Sequence, residues 1–94
     1  MDGTYRRINS VAKTLELLKY LASNGRKSIT SISQAMGLPK NTVFCYVATL
    51  SDHNFIRVEG DMCEIGMQAA RLWAEVKARK ERQLAQLNDD LKQL

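Results

Sequence analysis

A mainly helical domain with one β-hairpin and a long last helix is the fold class this sequence predicts, and three observations predict it. Apolar residues recur at helical spacing on both sides of Gly37 over residues 29–50. Two short strand-favouring runs, 55–58 and 62–65, flank the turn signal Glu59-Gly60-Asp61. Residues 67–94 hold no proline or glycine and consist mostly of strong helix formers.

Taken in order, residues 1–9 are polar and read as a flexible arm carrying Arg6 and Arg7. Ser10 is a candidate N-cap for the first helix. Its apolar stripe would be Val11, Leu15, Leu18, Leu21 and Ala22. Ser23-Asn24-Gly25 ends it, with Gly25 available just beyond the last turn. A second helix follows, capped by Ser28 or Thr30. It must stop at Gly37, where the chain reverses and a positive φ costs glycine nothing. Pro39 then suits a helix start, because its φ is preset and its missing N–H is no loss there. The third helix should run over about 39–51, with Val43, Val47 and Leu50 inward and Tyr46 beside them. Ser51-Asp52-His53-Asn54 closes it, since asparagine tolerates the left-handed conformation.

Two helices joined by such a turn form a helix-turn-helix, and a hairpin directly behind it is a wing. The prediction is therefore a winged helix-turn-helix of three helices plus a β-hairpin, with a long C-terminal helix. The expected units are an arm at 1–9, the winged domain at 10–66 and the helix at 67–94.

That last helix would be about 42 Å long, more than a domain of this size can cover. Leu84, Leu87, Leu91 and Leu94 fall at steps of three, four and three, as in a heptad seam. Continued backwards, the seam passes Lys80 and Lys77 before reaching Trp73 and Ala70. A projecting leucine stripe needs a partner, so the helix is the expected dimerisation element. About one and a half heptads are too few for an isolated coiled coil. The stripe would then fold back or meet the other protomer's helices.

Composition narrows the function. A chain of 94 residues with 45% hydrophobic content fits one small folded domain with an extension. A net charge of +4 suits a polyanionic partner without requiring one. Cys45, Cys63 and the lone His53 form neither a C-x-x-C pair nor a zinc-finger set, and the thiols are expected to be reduced. No apolar run approaches the ~18 residues of a membrane span. No apolar segment follows Arg6 and Arg7, so a secretory signal is not expected. The expected location is the cytoplasm, at the nucleoid. There are no paired carboxylates, nucleophile–base set, metal cluster or glycine-rich phosphate loop. No catalytic residue, metal or cofactor is therefore expected.

Three stretches together resemble one known family. They are INSVAKTLELLKYLAS, ITSISQAMGLPKNTVFCYVATL and FIRVEGDMCEIG, and the G-L-P-K-x-T-V…A-T-L string of residues 37–50 is the most specific part. They resemble the N-terminal DNA-binding domain of the IclR family of bacterial transcriptional regulators, over roughly residues 8–73. The resemblance implies a winged helix-turn-helix that binds operator DNA as a dimer. Members of that family carry a large C-terminal effector-sensing domain, which this sequence does not contain. It is then either a fragment or a stand-alone binder, and no small-molecule effector is expected within it. The family commonly places polar or basic residues after the T-V pair, where Phe44 and Cys45 stand here.

The expected DNA-binding residues are Thr30, Ser31, Lys40, Asn41, Thr42, Phe44, Cys45, Thr49 and Arg57. Backbone N–H groups near Lys40 and Asn41 suit a phosphate, and Lys40 adds a charge. Asn41 can bond adenine or serve only as a helix-start residue, and Thr42 can bond a phosphate or base. Phe44 and Cys45 offer apolar or weak contacts, for example to a thymine methyl, or else Phe44 packs against a neighbouring helix or a dimer partner and Cys45 is a small buried hydrophobe; no arginine is placed there to read guanine. Thr30 and Ser31 could bond a backbone phosphate or serve only as caps. Arg57, on the wing, would reach phosphates or the minor groove, as the resemblance implies, or stand as a solvated strand charge. Arg6 and Arg7 read as a minor-groove arm or an idle tail. Arg71, Lys77, Arg79, Lys80 and Arg82 read as a solvated helix face. Dimer contacts are expected from Leu15, Trp73 and the four seam leucines.

The leading expectation is thus a homodimeric, sequence-specific regulator of transcription that binds double-stranded DNA. One alternative is a protein-interaction adaptor on the same scaffold, suggested by the blunted face at Phe44 and Cys45. The other is a low-specificity architectural DNA protein of a phage or mobile element.

Overall fold

The computed structural model describes residues 6–94. The five residues before them, part of the expected arm, lie outside the described residues. The order is α1 (Asn9–Asn24), β1 (Lys27–Ser28), α2 (Ile29–Met36), α3 (Lys40–Asp52), β2 (Ile56–Glu59), β3 (Met62–Ile65) and α4 (Met67–Lys92). The winged helix-turn-helix is therefore present. A two-residue strand, β1, joins it and turns the hairpin into a three-stranded antiparallel sheet of order β1-β3-β2. Lys27 pairs with Cys63 and Ser28 with Met62. A strand of two residues carries no period, so the sequence held no signal for it.

The first helix differs from expectation in two ways. Ile8 occupies the N-cap position, with no side-chain cap. Ser10 lies inside the first turn, where its carbonyl accepts the Thr14 hydroxyl. Leu17, absent from the expected stripe, is fully buried, whereas Val11, Leu15 and Ala22 are exposed. The core lies against the α1 face of Leu17 and Leu21, with Leu18 at its margin. Expectation and structure agree at the C-terminus, where Gly25 takes φ 79° and its N–H bonds Leu21 O.

The helix-turn-helix follows its sequence signals closely. Ser28 caps α2, accepting the Ser31 N–H. Gly37 adopts φ 65° in the left-handed region, as the reversal requires. The Ser33 hydroxyl donates to the Leu38 carbonyl and ties the turn to α2. Val43 and Val47 are buried and Leu50 half-buried, so α3 shows the core the predicted face. Asn54 takes φ 62° beyond α3, as its residue type allows.

Eight residues form the buried core: Leu17, Leu21, Ile29, Ile32, Val43, Val47, Ile56 and Cys63. Burial pushes the Cys63 thiol up, with the Asp61 carboxylate adding repulsion, so it stays protonated. Gly66 is the N-cap residue of α4 and packs against the backbone of Asn54 and Phe55. Two bonds fasten that junction: Gly66 N–H to Phe55 O and Gln68 N–H to Asn54 O.

Beyond its first turns α4 leaves the body. None of its 26 residues is buried. The radius of gyration is 18.0 Å, against about 12 Å for a compact chain of this length. Leu84, Leu87 and Leu91 project on the helix with more than half their surface exposed, and Leu94 lies past its end. None of the described helices is long and apolar enough to cross a membrane.

Candidate nucleic-acid interface

The site is built on α3. Pro39 stands at its N-cap without a side-chain cap, and no acidic residue occupies its first turn. The first N–H groups of a helix have no intrahelical acceptor, so those of Lys40, Asn41 and Thr42 are open to an anion. Lys40 and Asn41 are exposed and Thr42 is half-buried.

Helical geometry sorts the remaining side chains into three sides. Asn41, Cys45, Ala48 and Asp52 point away from the Val43–Val47 core face, and all four are exposed. Phe44 leans towards the hairpin, in a groove whose walls include Ile29, Val47, Ala48 and Val58. Thr49 sits on the α1 side, where it and Cys45 line a second groove with Val11, Leu15, Leu18 and Phe55. The Thr49 hydroxyl donates back to the Cys45 carbonyl at 2.8 Å. Sequence reasoning placed Cys45 and Thr49 with the reading face. Packing puts them along its α1 edge and adds Ala48, which the helical period alone would have found.

Before α3, Thr30 is exposed at the start of α2. Ser31 is half-buried, and the Ser28 hydroxyl donates to its Oγ at 3.0 Å. The hairpin carries Arg57, whose guanidinium lies 3.5 Å from Glu64 and 3.9 Å from Glu59. Arg26, before β1, holds the same Glu59 at 3.1 Å. One carboxylate thus draws in two arginines. Sequence reasoning missed Arg26, because it is 33 positions from its partner. The wing turn itself is acidic, with Glu59 and Asp61 exposed around Gly60 at φ 65°.

The proposed dimer residues lie elsewhere. Leu15 lines the α1 groove. Trp73, 66% exposed, lines a further groove with Leu18, Phe55, Ile65 and Ala69. Leu18 and Phe55 belong to both grooves, so one apolar strip runs from α1 to the start of α4. No group of three or more His, Cys, Asp or Glu side chains able to hold a metal occurs among the described residues.

A helix with an open N-terminus, held outward by a glycine turn beside a hairpin, defines the winged helix-turn-helix class of DNA-binding domains. Within that class the chain belongs to the IclR helix-turn-helix domain family, whose pattern matches residues 10–60. It is 32% identical over 57 residues to the transcriptional repressor IclR of Escherichia coli, which covers 60% of this chain. The chain spans only about a fifth, 21%, of that relative. An IclR-type transcriptional regulator from Silicibacter superposes with a TM-score of 0.69 at 25% identity, covering 77% of this chain and 29% of that one. A homodimeric winged helix-turn-helix DNA-binding domain from Mycobacterium bovis superposes at 0.54 and 25% identity, covering 86% of this chain and 91% of that one. The family and the repressor relative are DNA-binding regulators of transcription, not enzymes.

Proposed function

We propose that this chain is the sequence-specific DNA-binding part of a transcription regulator and acts as a homodimer. Each protomer lays α3 in one major groove of a two-fold-related site. The observation that carries this reading is the uncapped N-terminus of α3, with Lys40 and Asn41 exposed beside it on the outer face of a family-matched fold. The open N–H groups and Lys40 hold a phosphate, and Asn41 reaches adenine. Thr30 and Thr42 add backbone contacts, while Ser31 holds the cap. Arg57 serves phosphates alongside the wing once its exposed ion pairs exchange. Asp52 repels phosphate at the far end of α3, which confines the footprint to the helix's first turns. Leu15, Trp73 and the leucines of α4 supply the dimer contacts, since that strip faces away from the Phe44 side of α3. The homodimeric domain from Mycobacterium bovis supports such an assembly.

The test is recovery of bound fragments from random genomic DNA at ~150 mM salt, with the mass of the free protein measured in parallel. A dimer that enriches one palindromic motif is expected, with affinity falling steeply as salt rises. Equal retention of all fragments would indicate an architectural protein instead. A flat salt dependence would overturn the reading.

A second reading, the protein-interaction adaptor, draws on Phe44 and Val58, which remain 63% and 41% exposed. Lys40→Ala, Asn41→Ala and Arg57→Ala together separate the two. Lost DNA binding in a folded protein supports the regulator, and unchanged behaviour supports the adaptor.

A further inference from the structure

Most exposed large apolar side chains of this chain lie on α1, α4 or the strip joining them. Phe44 does not. It stands on the opposite side of α3, towards the hairpin, 63% exposed. Beside it lie Val58 of β2 and Ala48, one helical turn on, over a floor of Ile29 and Val47. The space between them is about 270 Å³. A dimer built on the α1–α4 strip leaves this groove open. Phe44, Ala48 and Val58 together offer an exposed apolar surface on which a small apolar group can be buried.

The polar groups around it say which kind. Asn41 is three positions before Phe44 and Cys45 follows it, so the outward surface of the first turns is one amide among apolar or weakly polar groups. No arginine lies there, and the one lysine, Lys40, stands beside the open N–H groups at the helix start, where a phosphate is its partner. Asp52, the one residue of α3 suited to cytosine N4, lines the far end of the same groove with Ser51, two turns beyond Phe44 and outside the first turns of the helix. In the major groove an asparagine suits adenine, and an apolar side chain suits the thymine methyl. On the DNA-binding reading, the uncapped start of α3 and Lys40 take a phosphate next to this surface, which then faces duplex edges.

We infer that Phe44, with Ala48 and Val58 beside it, is a thymine-methyl reader, and that Asn41 completes an A·T-specific patch. The inference rests on the DNA-binding reading above and names its preferred substrate: duplexes whose half-sites carry A·T pairs under the first turns of α3. Phe44 would be the specificity-determining residue, and Lys40 would supply affinity without base preference.

The test uses the full chain and four alternating duplexes: d(A-T), d(A-U), d(G-C) and d(G-C) with 5-methylcytosine. The first two differ only in the thymine methyl, and the last two only in the corresponding cytosine methyl. Binding to d(A-T) is expected to be about fourfold tighter than to d(A-U) for each methyl contacted, the fold-change of about 0.8 kcal/mol per buried carbon. Cytosine methylation should recover part of the same gain. In Phe44→Ala the d(A-T) and d(A-U) duplexes should bind alike. Phe44→Leu should keep part of the difference, which separates lost contact from lost fold, and circular dichroism checks both variants. Lys40→Ala should weaken all four duplexes by a similar factor. Equal binding of d(A-T) and d(A-U) would overturn the methyl reading while leaving DNA binding standing, as would a difference that survives in Phe44→Ala. Binding to none of the four duplexes would overturn both.

Discussion

Gly66 shows how much one residue can control. A Cβ added there would collide with the Asn54 carbonyl oxygen and lie 2.9 Å from the Phe55 carbonyl carbon. Both obstacles are backbone, so neither can swing aside, and the two hydrogen bonds at the junction hold them in place. Gly66→Ala should therefore cost about 1–3 kcal/mol, the usual price of overpacking. Urea denaturation measures it, and an unchanged midpoint would refute the close approach. The position shows no signal in the sequence, since a glycine before a helix-forming run reads as an ordinary boundary. Gly37 and Pro39 were legible because their roles are local: a φ of 65° and a preset helix start. Ser10 and Leu17 were misread for a related reason. The first turn of α1 begins two residues early, with Ile8 and not Ser10 at the N-cap, and the buried face was set by what the sheet and the other helices pressed against it.

Among the elements, the hairpin departs most from a bare basic wing. Glu59 draws Arg26 and Arg57 towards itself and leaves an acidic turn at the tip. All three side chains are exposed, so the pairs are worth less than about 1 kcal/mol in stability. Their larger effect is on charge presented to DNA. Glu59→Gln should leave the melting temperature nearly unchanged, raise DNA affinity at low salt and steepen its salt dependence, because one negative charge is lost, Arg26 is released and Arg57 keeps only Glu64. Titration at two salt concentrations decides it, and unaltered affinity and slope would show that the wing does not meet phosphate. The helix-turn-helix was readable as an element because apolar spacing and turn residues lie within one short stretch. The third strand was not, because β1 exists only through its pairing with β3.

On the scale of the whole molecule, the shape is a compact head with α4 projecting from it, 59 Å across the longest axis. A projecting helix with Leu84, Leu87 and Leu91 exposed gains stability only by meeting another apolar surface. Ending the chain after residue 75 should therefore shift the mass in solution towards the monomer and weaken DNA binding by the lost linkage of two half-sites. Sedimentation and a binding titration check this, and unchanged mass with unchanged affinity would place the dimer contacts on α1 and Trp73 alone. Chain order, helix count, the hairpin, the inward face of α3 and the family were determined by the sequence itself. Each depends on periodicity or turn chemistry within a few residues, which a linear chain records. The tertiary structure alone decided that Cys45 and Thr49 edge the α1 groove, that Phe44 opens towards the hairpin, that Glu59 joins Arg26 to Arg57, and that Gly66 touches backbone. Those depend on distances between segments far apart in sequence, which packing sets.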